Sequence, residues 1–434
     1  MRNPTDIPIR LIRRAPRPRL AGGAGAFAYS GFRWFSLAQF IGFTMLNIQM
    51  MTRGWAMQEL TGSPFMVSLV GAVQVLPMLA FSFLGGELAD RFSRKKILIL
   101  GEVGALIGFA SLAIPAAMNV LQPWHIIAST LWMGVAMALQ NPARQAMIVD
   151  LVGEREQRRA LGAYMVVIHL TILVGPIIGG PLLTTLGTEG ALGLSTLAFV
   201  VVIPLYLPMK LAAVQVRSQP KGPLVSNLSA GVRYICKDPT LRWMFLALFV
   251  MVLFVNTWGG LFPTIAEDVL HRGAGGLGGI NIAVGIGALT GAVLAAILAG
   301  RAHDARQQIV GSLLFAGFVI VLALSTSYPI SLIATGLAAA SGAPFFINNM
   351  TVTQLNAKDE FRGRVVSVRF VVSAVQPIGL MVLGAVAEIT GPKAALAGSA
   401  AIGAFLMLVI AATYARSALM TGRVASRGPN SVAS

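Results

Sequence analysis

Three ionisable side chains lie inside long apolar stretches of the sequence, where charged groups are rare and usually functional: Arg53, Glu102 and His169. Arg53 could attract an anionic substrate, although we favour a side chain that extends its charge to the membrane surface beside Trp55. Glu102 could carry a proton, although we expect it to pair with the basic residues of 91–96. His169 could titrate near neutral pH, although we expect a neutral histidine that is hydrogen-bonded between helices.

The residue patterns of enzymes and of ATP-driven transporters are missing from the sequence. It contains no G-x-x-x-x-G-K-[ST] phosphate loop, so ATP hydrolysis by this chain is excluded, and it contains no H-E-x-x-H zinc motif or nucleophile elbow. The single cysteine, Cys236, excludes a disulfide framework and cysteine-ligated clusters. We therefore expect no enzyme activity, no cofactor and no metal.

A charged loop follows the second apolar stretch and reads GGELADRFSRKK from residue 85 to residue 96. It resembles the G-x-L-a-D-R-x-G-R-[K/R] loop of the major facilitator superfamily, with Ser93 in place of the second glycine. The matching positions are Gly86, Leu88, Asp90, Arg91, Arg94 and Lys95. A carboxylate at position 90 can accept N–H bonds at another helix N-terminus. The resemblance implies that this helix is the eleventh span, which starts near Val365. Arg144 and Asp90 both lie at inner helix ends, so we expect them to pair as part of an inner gate.

The fifth apolar stretch carries glycines at a spacing that lets two helix backbones touch. It resembles the antiporter signature G-x8-G-x3-G-P-x2-G-G, found mainly in exporters of the same superfamily, with Thr171 in place of the middle glycine. The matching residues are Gly162, Gly175, Pro176, Gly179 and Gly180. Pro176 bends the helix because its nitrogen cannot donate a hydrogen bond. We expect these residues to control packing between the halves of the protein.

Four shorter strings resemble bacterial twelve-span efflux proteins of the siderophore-exporter and macrolide-efflux type. They are ELTGSP at 59–64, NPAR at 141–144, GIGA at 285–288 and RGR at 362–364. The middle of the fourth stretch lacks the arginine that many proton-coupled drug exporters carry there. The resemblance therefore implies proton coupling, but this sequence lacks the arginine that would be expected to carry it.

The resemblance also implies that spans one, four, seven and ten line a central cavity. The amides on these spans are Asn47, Gln49, Gln140, Asn141, Asn256, Asn348 and Asn349. Trp132, Trp258, Phe345 and Phe346 could provide aromatic walls. A cavity of amides and aromatic rings with few charges suits large amphipathic ligands.

The elements that must position these residues are transmembrane helices. Of 434 residues, 56% are hydrophobic and 11% are charged, against about 25% charged in a soluble domain, so a soluble globular fold and disorder are excluded. Continuous apolar stretches about 20 residues long suit helices that span the bilayer. There are twelve, at 34–57, 65–86, 97–118, 124–148, 160–184, 190–209, 242–265, 277–299, 309–327, 330–355, 366–389 and 395–415.

The basic residues predict the orientation of these spans. The net charge is +17, and 27 of the 33 Lys and Arg residues lie in the tails and in the loops on one side, whereas the loops on the other side hold Arg272 and Lys393. The positive-inside rule places the basic side and both termini in the cytoplasm. The basic tail 1–33 is then a disordered segment beside anionic lipid rather than a nucleic-acid-binding arm.

The longest polar interruption divides the spans six and six. The sequence therefore predicts an all-α membrane protein with twelve transmembrane helices in two pseudo-symmetric six-helix bundles. The predicted segments are a tail at 1–33, bundles at 34–209 and 242–416, a cytoplasmic linker with one surface helix at 210–241, and a tail at 417–434. The repeated halves indicate a transporter with a site between them.

We predict an exporter of small amphipathic molecules, either drugs or siderophores, that works by alternating access and proton antiport in the bacterial inner membrane. We expect a monomer whose partners are its substrate, protons and the lipid bilayer, and no nucleic acid. The alternatives are an importer with the same fold and a transport-inactive membrane sensor.

Overall fold

The computed structural model describes residues 25–154, 156–209, 224–298 and 305–420, and every regular element in these ranges is a helix. The tail residues 1–24 and 421–434 and the linker residues 210–223 lie outside the described part of the chain. The side chain of Asp90 also lies outside it, although its backbone belongs to a described helix.

The first half of the chain, 25–209, consists of a short 3-10 helix followed by six helices. The bounds are Gly25–Ala28 for the 3-10 helix, then α1 Ser30–Thr61, α2 Pro64–Arg91, α3 Arg94–Ala117, α4 Pro123–Val152, α5 Gln157–Val200 and α6 Val202–Leu205. The predicted disordered tail therefore extends too far at its C-terminal end. Most of residues 25–33 are helical. Within this stretch, Ala26 and Phe32 are buried in the core of this half.

The second half, 224–420, begins with a helix inside the predicted linker. The bounds are α7 Leu224–Lys237, α8 Pro239–Val250, a broken helical segment at 251–269 that contains α9 Phe262–Thr264, α10 Gly273–Leu298, α11 Ala305–Leu324, α12 Tyr328–Asn356, α13 Asp359–Ser373, α14 Gln376–Thr390 and α15 Pro392–Met420.

Eight helical segments of the described residues are long and apolar enough to cross a membrane. One of them, Gln157–Leu205, contains both the fifth and the sixth predicted span. It bends at Gly187, whose φ of 66° is accessible to glycine at little cost. The predicted spans one, two and four coincide with α1, α2 and α4, which have 32, 28 and 30 residues but are not among the eight. Buried polar side chains in α1, such as Gln39 and Gln49, explain its lower hydropathy.

Several of these helices begin and end at residues that favour helix termini. Gly62 ends α1 with a φ of 60° and donates its N–H to the carbonyl of Gln58. The Ser63 hydroxyl then accepts the N–H of Met66, and Pro64 occupies the first turn of α2. Asp238 caps α8 in the same way by accepting the N–H of Leu241.

The turns of the bundle divide between two ends. The end that carries the α2–α3 turn at 91–94 and the α4–α5 turn at 152–157 is called the basic end. The end that carries the α1–α2 turn at 61–64 and the α14–α15 turn at 390–392 is called the opposite end. Two helix pairs make most of the contacts between the halves, α2 with α14 and α5 with α10.

The hydrogen bonds that the described residues form between the halves lie at or near the opposite end. Gln58 donates to the carboxylate of Asp268 at 3.3 Å and accepts from the Thr264 hydroxyl at 2.8 Å. The Glu388 carboxylate accepts the Ser63 hydroxyl at 2.8 Å and the backbone N–H of Phe65 at 3.2 Å. These contacts hold the two halves together at that end.

Candidate functional site

A central cavity of about 510 Å³ lies between the two halves. Its first-half wall comes from α1, α2 and α5 with Met137 of α4, and its second-half wall comes from the segment 256–263, α10 and α14. The described lining contains no residue of α12, so the expectation that the tenth span lines the cavity is wrong for this conformation. The helices that join the halves, α2, α5, α10 and α14, contribute to the wall together with α1, Met137 of α4 and the segment 256–263.

The cavity wall includes the irregular part of the seventh predicted span. Between α8 and α10 the chain passes through a π turn at Met251–Val255, a 3-10 turn at Trp258–Leu261 and a second π turn at Ile265–Val269. Asn256, Gly259 and Gly260 line the cavity from this stretch. Broken helices beside a cavity are a recurrent feature of substrate sites in transporters.

Arg53 lies in the cavity wall and not at the membrane surface. The residue is 1% exposed, Nη2 donates to the Ser129 hydroxyl at 3.3 Å, and the guanidinium lies 5.8 Å from the centroid of the Phe109 ring. The favoured expectation of a snorkelling side chain is therefore wrong. Helix α1 turns this position towards α3 and α4, so the side chain points into the first half.

The predicted amides occupy several environments. Asn47 lines the cavity and donates to the carbonyl of Phe43, and Asn256 lines it and accepts from Gln376 through its carbonyl. Gln49 binds Ser195 between α1 and α5. Only two of the seven predicted amides thus belong to the described cavity wall.

On α12, Asn348 and Asn349 are buried in the second half. Asn349 donates to the carbonyl of Met244 and accepts from Arg369. Neither nitrogen nor oxygen of the Asn348 side chain has a partner among the described residues.

The predicted aromatic walls lie away from the cavity. Trp258 is buried in the core of the second half, between Phe262 and Phe315, and Phe345 packs edge-on against Phe346. Trp132 is half exposed and donates to the carbonyl of Gly104. The apolar lining comes from aliphatic side chains, from Phe262 and from four methionines, which are Met50, Met51, Met78 and Met137.

A buried polar network surrounds Glu102 inside the first half. Gln39 donates to the Tyr206 hydroxyl at 2.6 Å, and that hydroxyl donates to Oε1 of Glu102 at 3.0 Å. Nη2 of Arg144 lies 3.6 Å from the same oxygen, and both side chains of this ion pair are 7% exposed. The expected pairing of Glu102 with the basic residues of 91–96 is therefore wrong. The sequence carries no signal for Tyr206, because a tyrosine at the end of an apolar stretch is usually an interfacial residue.

Arg144 has its partners inside this network. It donates to Oδ1 of Asn141 at 2.9 Å and to Oε1 of Gln140, in addition to its ion pair with Glu102. Residues 140, 141 and 144 thus form one cluster on α4. The predicted pairing of Arg144 with Asp90 involves a side chain outside the described part of the chain.

A small cavity of about 30 Å³ adjoins the network. Gln39, Glu102, Gln140 and Arg144 contribute to its wall. Met137 lines both this cavity and the central one. The side chain of Met137 therefore lies between the buried carboxylate and the central cavity.

The glycines of the fifth predicted span contact two different helices. A Cβ on Gly175 would lie 2.6 Å from Cβ of Asn47, and one on Gly179 would lie 2.9 Å from Cε of Met51, so both glycines pack against α1. Gly180 instead faces Gly278 of α10, where a Cβ on Gly278 would lie 2.9 Å from Cα of Gly180. Pro176 lines the central cavity. Gly162 has open space around it.

The basic residues of the loop motif contact the first half. Arg91 forms an ion pair with Glu87 at 2.6 Å, and Lys95 donates to the carbonyls of Leu207 and Met209 at 2.7 and 3.1 Å. Gly86 and Leu88 lie in the last turns of α2. The contact of Asp90 with a second-half helix falls outside the described side chains.

The ion pair between Arg94 and Asp150 joins the α2–α3 turn to α4. The two side chains are 2.6 Å apart and only 11% and 10% exposed. We expect Asp150→Asn to lower the free energy of unfolding by about 2 kcal/mol, because it leaves a nearly buried guanidinium without its anion. Thermal melting of the purified protein measures this loss. Glu156→Gln is the matched control, since the exposed Arg159–Glu156 pair contributes below about 1 kcal/mol. Equal melting temperatures for Asp150→Asn and the unmodified protein would contradict the prediction.

His169 lies on an exposed face of α5. Its Nδ1 is 2.8 Å from the carbonyl of Met165 in the same helix. The expected hydrogen bond between helices is therefore absent from the contacts of this residue, because the side chain points away from the bundle.

The sequence matches known proteins along nearly its whole length. The family model described as "transmembrane secretion effector" matches residues 21–429. Enterobactin exporter EntS of Shigella boydii serotype 4 (strain Sb227) is 26% identical over 393 residues, which cover 88% of this chain and 92% of that protein. Enterobactin exporter EntS of Escherichia coli O139:H28 has the same identity and coverage.

Solved transporter structures share the fold. A bacterial homologue of the human lysosomal transporter Spinster, in an inward-facing and unoccupied conformation, superimposes with a TM-score of 0.72 at 15% identity and covers 91% of this chain and 99% of its own. The nucleoside transporter NupG (D323A mutant) superimposes with a TM-score of 0.71 at 13% identity and covers 88% of this chain and 99% of its own. These similarities establish the fold of a major facilitator transporter.

Proposed function

Because the chain belongs to the transmembrane secretion effector family and is a major facilitator transporter, we propose that it exports small amphipathic molecules across the bacterial inner membrane. The observation that carries this proposal is the central cavity between two halves that are hydrogen-bonded to each other at one end. A site between two movable halves is what alternating access requires. The relatives named enterobactin exporter support the outward direction and a siderophore as one candidate substrate.

In this proposal the chain crosses the membrane twelve times. The eight apolar segments include one that bends at Gly187 and crosses twice, and α1, α2 and α4 complete the number. The basic end faces the cytoplasm, since 27 of 33 Lys and Arg residues lie in the tails and loops predicted for that side. The halves then meet at the outer end, and the cavity is reached from the cytoplasm. The inward-facing conformation of the Spinster homologue supports this assignment.

Proton antiport provides the driving force in this proposal, and Glu102 carries the proton. Its carboxylate is buried, lies 3.6 Å from Nη2 of Arg144 and accepts from the Tyr206 hydroxyl at 3.0 Å. When Glu102 is protonated the ion pair is lost, which frees Arg144 to change its partners. Ionisable groups paired inside transmembrane helices are the usual elements of proton relays.

We expect everted membrane vesicles that contain the protein to accumulate an exported compound when the vesicles are energised. The panel consists of enterobactin, a macrolide antibiotic and a neutral sugar as the compound outside the predicted class. Accumulation should stop when a protonophore collapses the proton gradient and should persist when only a sodium gradient is removed. Vesicles with Asp90→Asn protein provide the transport-inactive control.

Two results would contradict this function. Concentrative uptake by right-side-out vesicles, without accumulation by everted ones, would identify an importer. No gradient-driven movement of any compound in either orientation would favour a membrane sensor.

A further inference from the structure

The wall of the central cavity contains a single charged side chain among its described residues. That residue is Arg53, and no Asp or Glu belongs to the described lining. A guanidinium stays protonated at all physiological pH values. The side chain of Arg53 points from this wall into the first half, so a permanent positive charge lies beside the cavity, and no carboxylate of the described lining compensates it.

The guanidinium of Arg53 uses little of its capacity to donate hydrogen bonds. It has five N–H donors, and its one hydrogen bond among the described residues runs from Nη2 to the Ser129 hydroxyl at 3.3 Å. Nε and Nη1 are buried without a partner. Ser129 donates its own proton to the carbonyl of Gly108 at 2.7 Å, so it remains an acceptor for Arg53. A buried cation that lacks an anion is costly, which indicates that an anion from outside the chain completes this site.

The rest of the wall fits an amphipathic molecule. Amide side chains line it at five positions, which are Asn47, Gln74, Asn256, Asn281 and Gln376. Most of the other lining residues are aliphatic, glycine or proline. The four methionines of the wall have flexible, unbranched side chains that repack readily around ligands of different shape. The guanidinium is closed off from solvent in this conformation, so an anion reaches it only when neighbouring side chains move.

We propose that the cavity binds an amphipathic anion, and that Arg53 binds its carboxylate, sulfonate or ionised phenol. The apolar body of the molecule then lies against the aliphatic side of the cavity. This inference rests on the proposed function, because it specifies the substrate class of the same cavity. An anion of this kind is either the exported molecule or an anionic phospholipid.

Binding of a matched set of fluorescent probes tests this assignment on the full-length protein in phosphatidylcholine nanodiscs. The probes are dansyl-phenylalanine, which is an anion, its neutral amide, and dansylcadaverine, which is a cation. We expect the acid to bind about tenfold more tightly than the amide, as for a hydrogen bond to a charged group. In Arg53→Met this preference should disappear, and Arg53→Lys should retain part of it.

Arg159→Met is the matched control, since it removes an exposed arginine at the basic end and should leave the preference unchanged. Monodisperse elution and a melting curve establish that each variant is folded. The preference of the unmodified protein for the acid over the amide tests the proposal even if Arg53→Met does not fold. Repeating the titration with phosphatidylglycerol in the nanodisc distinguishes the two sources of the anion, because a phospholipid ligand would displace the probe and an exported solute would leave the probe bound.

The proposal is overturned if the amide or the cation binds as tightly as the acid, if Arg53→Met keeps the preference, or if the acid shows no saturable binding. Failure of the proposed function has a different signature. Selective binding of the acid without export in vesicles would leave the anion site in place and remove the exporter. Export of neutral or cationic compounds alone would support the exporter and contradict the anion site.

Discussion

Replacing Glu102 by glutamine is expected to abolish gradient-driven export and to reduce transport to the level seen with a protonophore. Glutamine has nearly the shape of glutamate and can accept from the Tyr206 hydroxyl, but it can neither release nor take up a proton. The buried Arg144, 3.6 Å from the carboxylate in the native protein, then lacks its anion. We expect a loss of about 3 kcal/mol in the free energy of unfolding, the lower part of the range for a broken buried ion pair. Transport in proteoliposomes with and without an imposed pH gradient measures the first effect.

A double variant separates loss of coupling from loss of stability. Glu102→Gln with Arg144→Met removes both charges, so the melting temperature should recover towards that of the native protein while gradient-driven export stays absent. Glu360→Gln removes an exposed carboxylate of α13 and should change neither property. If Glu102→Gln protein still transports against a concentration gradient, Glu102 is not the proton carrier.

Replacing Gly278 by valine is expected to weaken the closure between the halves and to shift the protein towards a conformation that is open at the opposite end. A Cβ on Gly278 would lie 2.9 Å from Cα of Gly180, and a Cβ on Gly180 would lie 3.2 Å from Cα of Gly278. The obstacle on each side is backbone, so α5 and α10 must separate. Overpacking of this kind costs about 2 kcal/mol, which corresponds to a shift of about thirtyfold in the equilibrium between conformations.

Distances between spin labels across each end of the bundle measure this shift. In a Cys236→Ser background, labels at Leu60 and Ile389 report on the opposite end, and labels at Arg158 and Lys358 report on the basic end; all four residues are exposed. Gly278→Val should lengthen the first distance and shorten the second. Gly317→Val is the matched control, because Gly317 lies within α11 with open space around it. Unchanged distances in Gly278→Val would rule out a role of the contact between Gly180 and Gly278 in closing the opposite end.

Much of the fold could be predicted because its signals are local. The turn at 61–64 contains the αL glycine, the serine cap and the proline that end one helix and begin the next. Apolar stretches long enough to span a bilayer predicted the positions of the helices. The boundaries were less accurate where burial decided them, as at Ala26 and Phe32, which lie in helices within the predicted tail 1–33.

The candidate site was predicted in its residues but not in their contacts. Arg53, Glu102 and Asn47 were recognised as unusual because polar groups inside apolar stretches are costly. Their surroundings depend on the rotation of each helix about its axis, which a helix that is apolar on most sides does not specify. Gln74 and Asn281 of the cavity wall were missed for the same reason, since no periodic pattern distinguishes a cavity-facing amide from one that bonds to a neighbouring helix.

The sequence by itself determined that this is a helical membrane protein with repeated halves, because composition, apolar length and the distribution of basic residues are read along the chain. Only the tertiary structure decided which charges meet. Arg53 reaches Ser129 across 76 residues, and Tyr206 reaches Glu102 across 104. Contacts over such separations exist only after α1, α3, α4 and the C-terminal end of α6 have packed together. Packing therefore left Arg53 without an anion and paired Glu102 with Arg144, and these two arrangements carry the proposed binding and coupling.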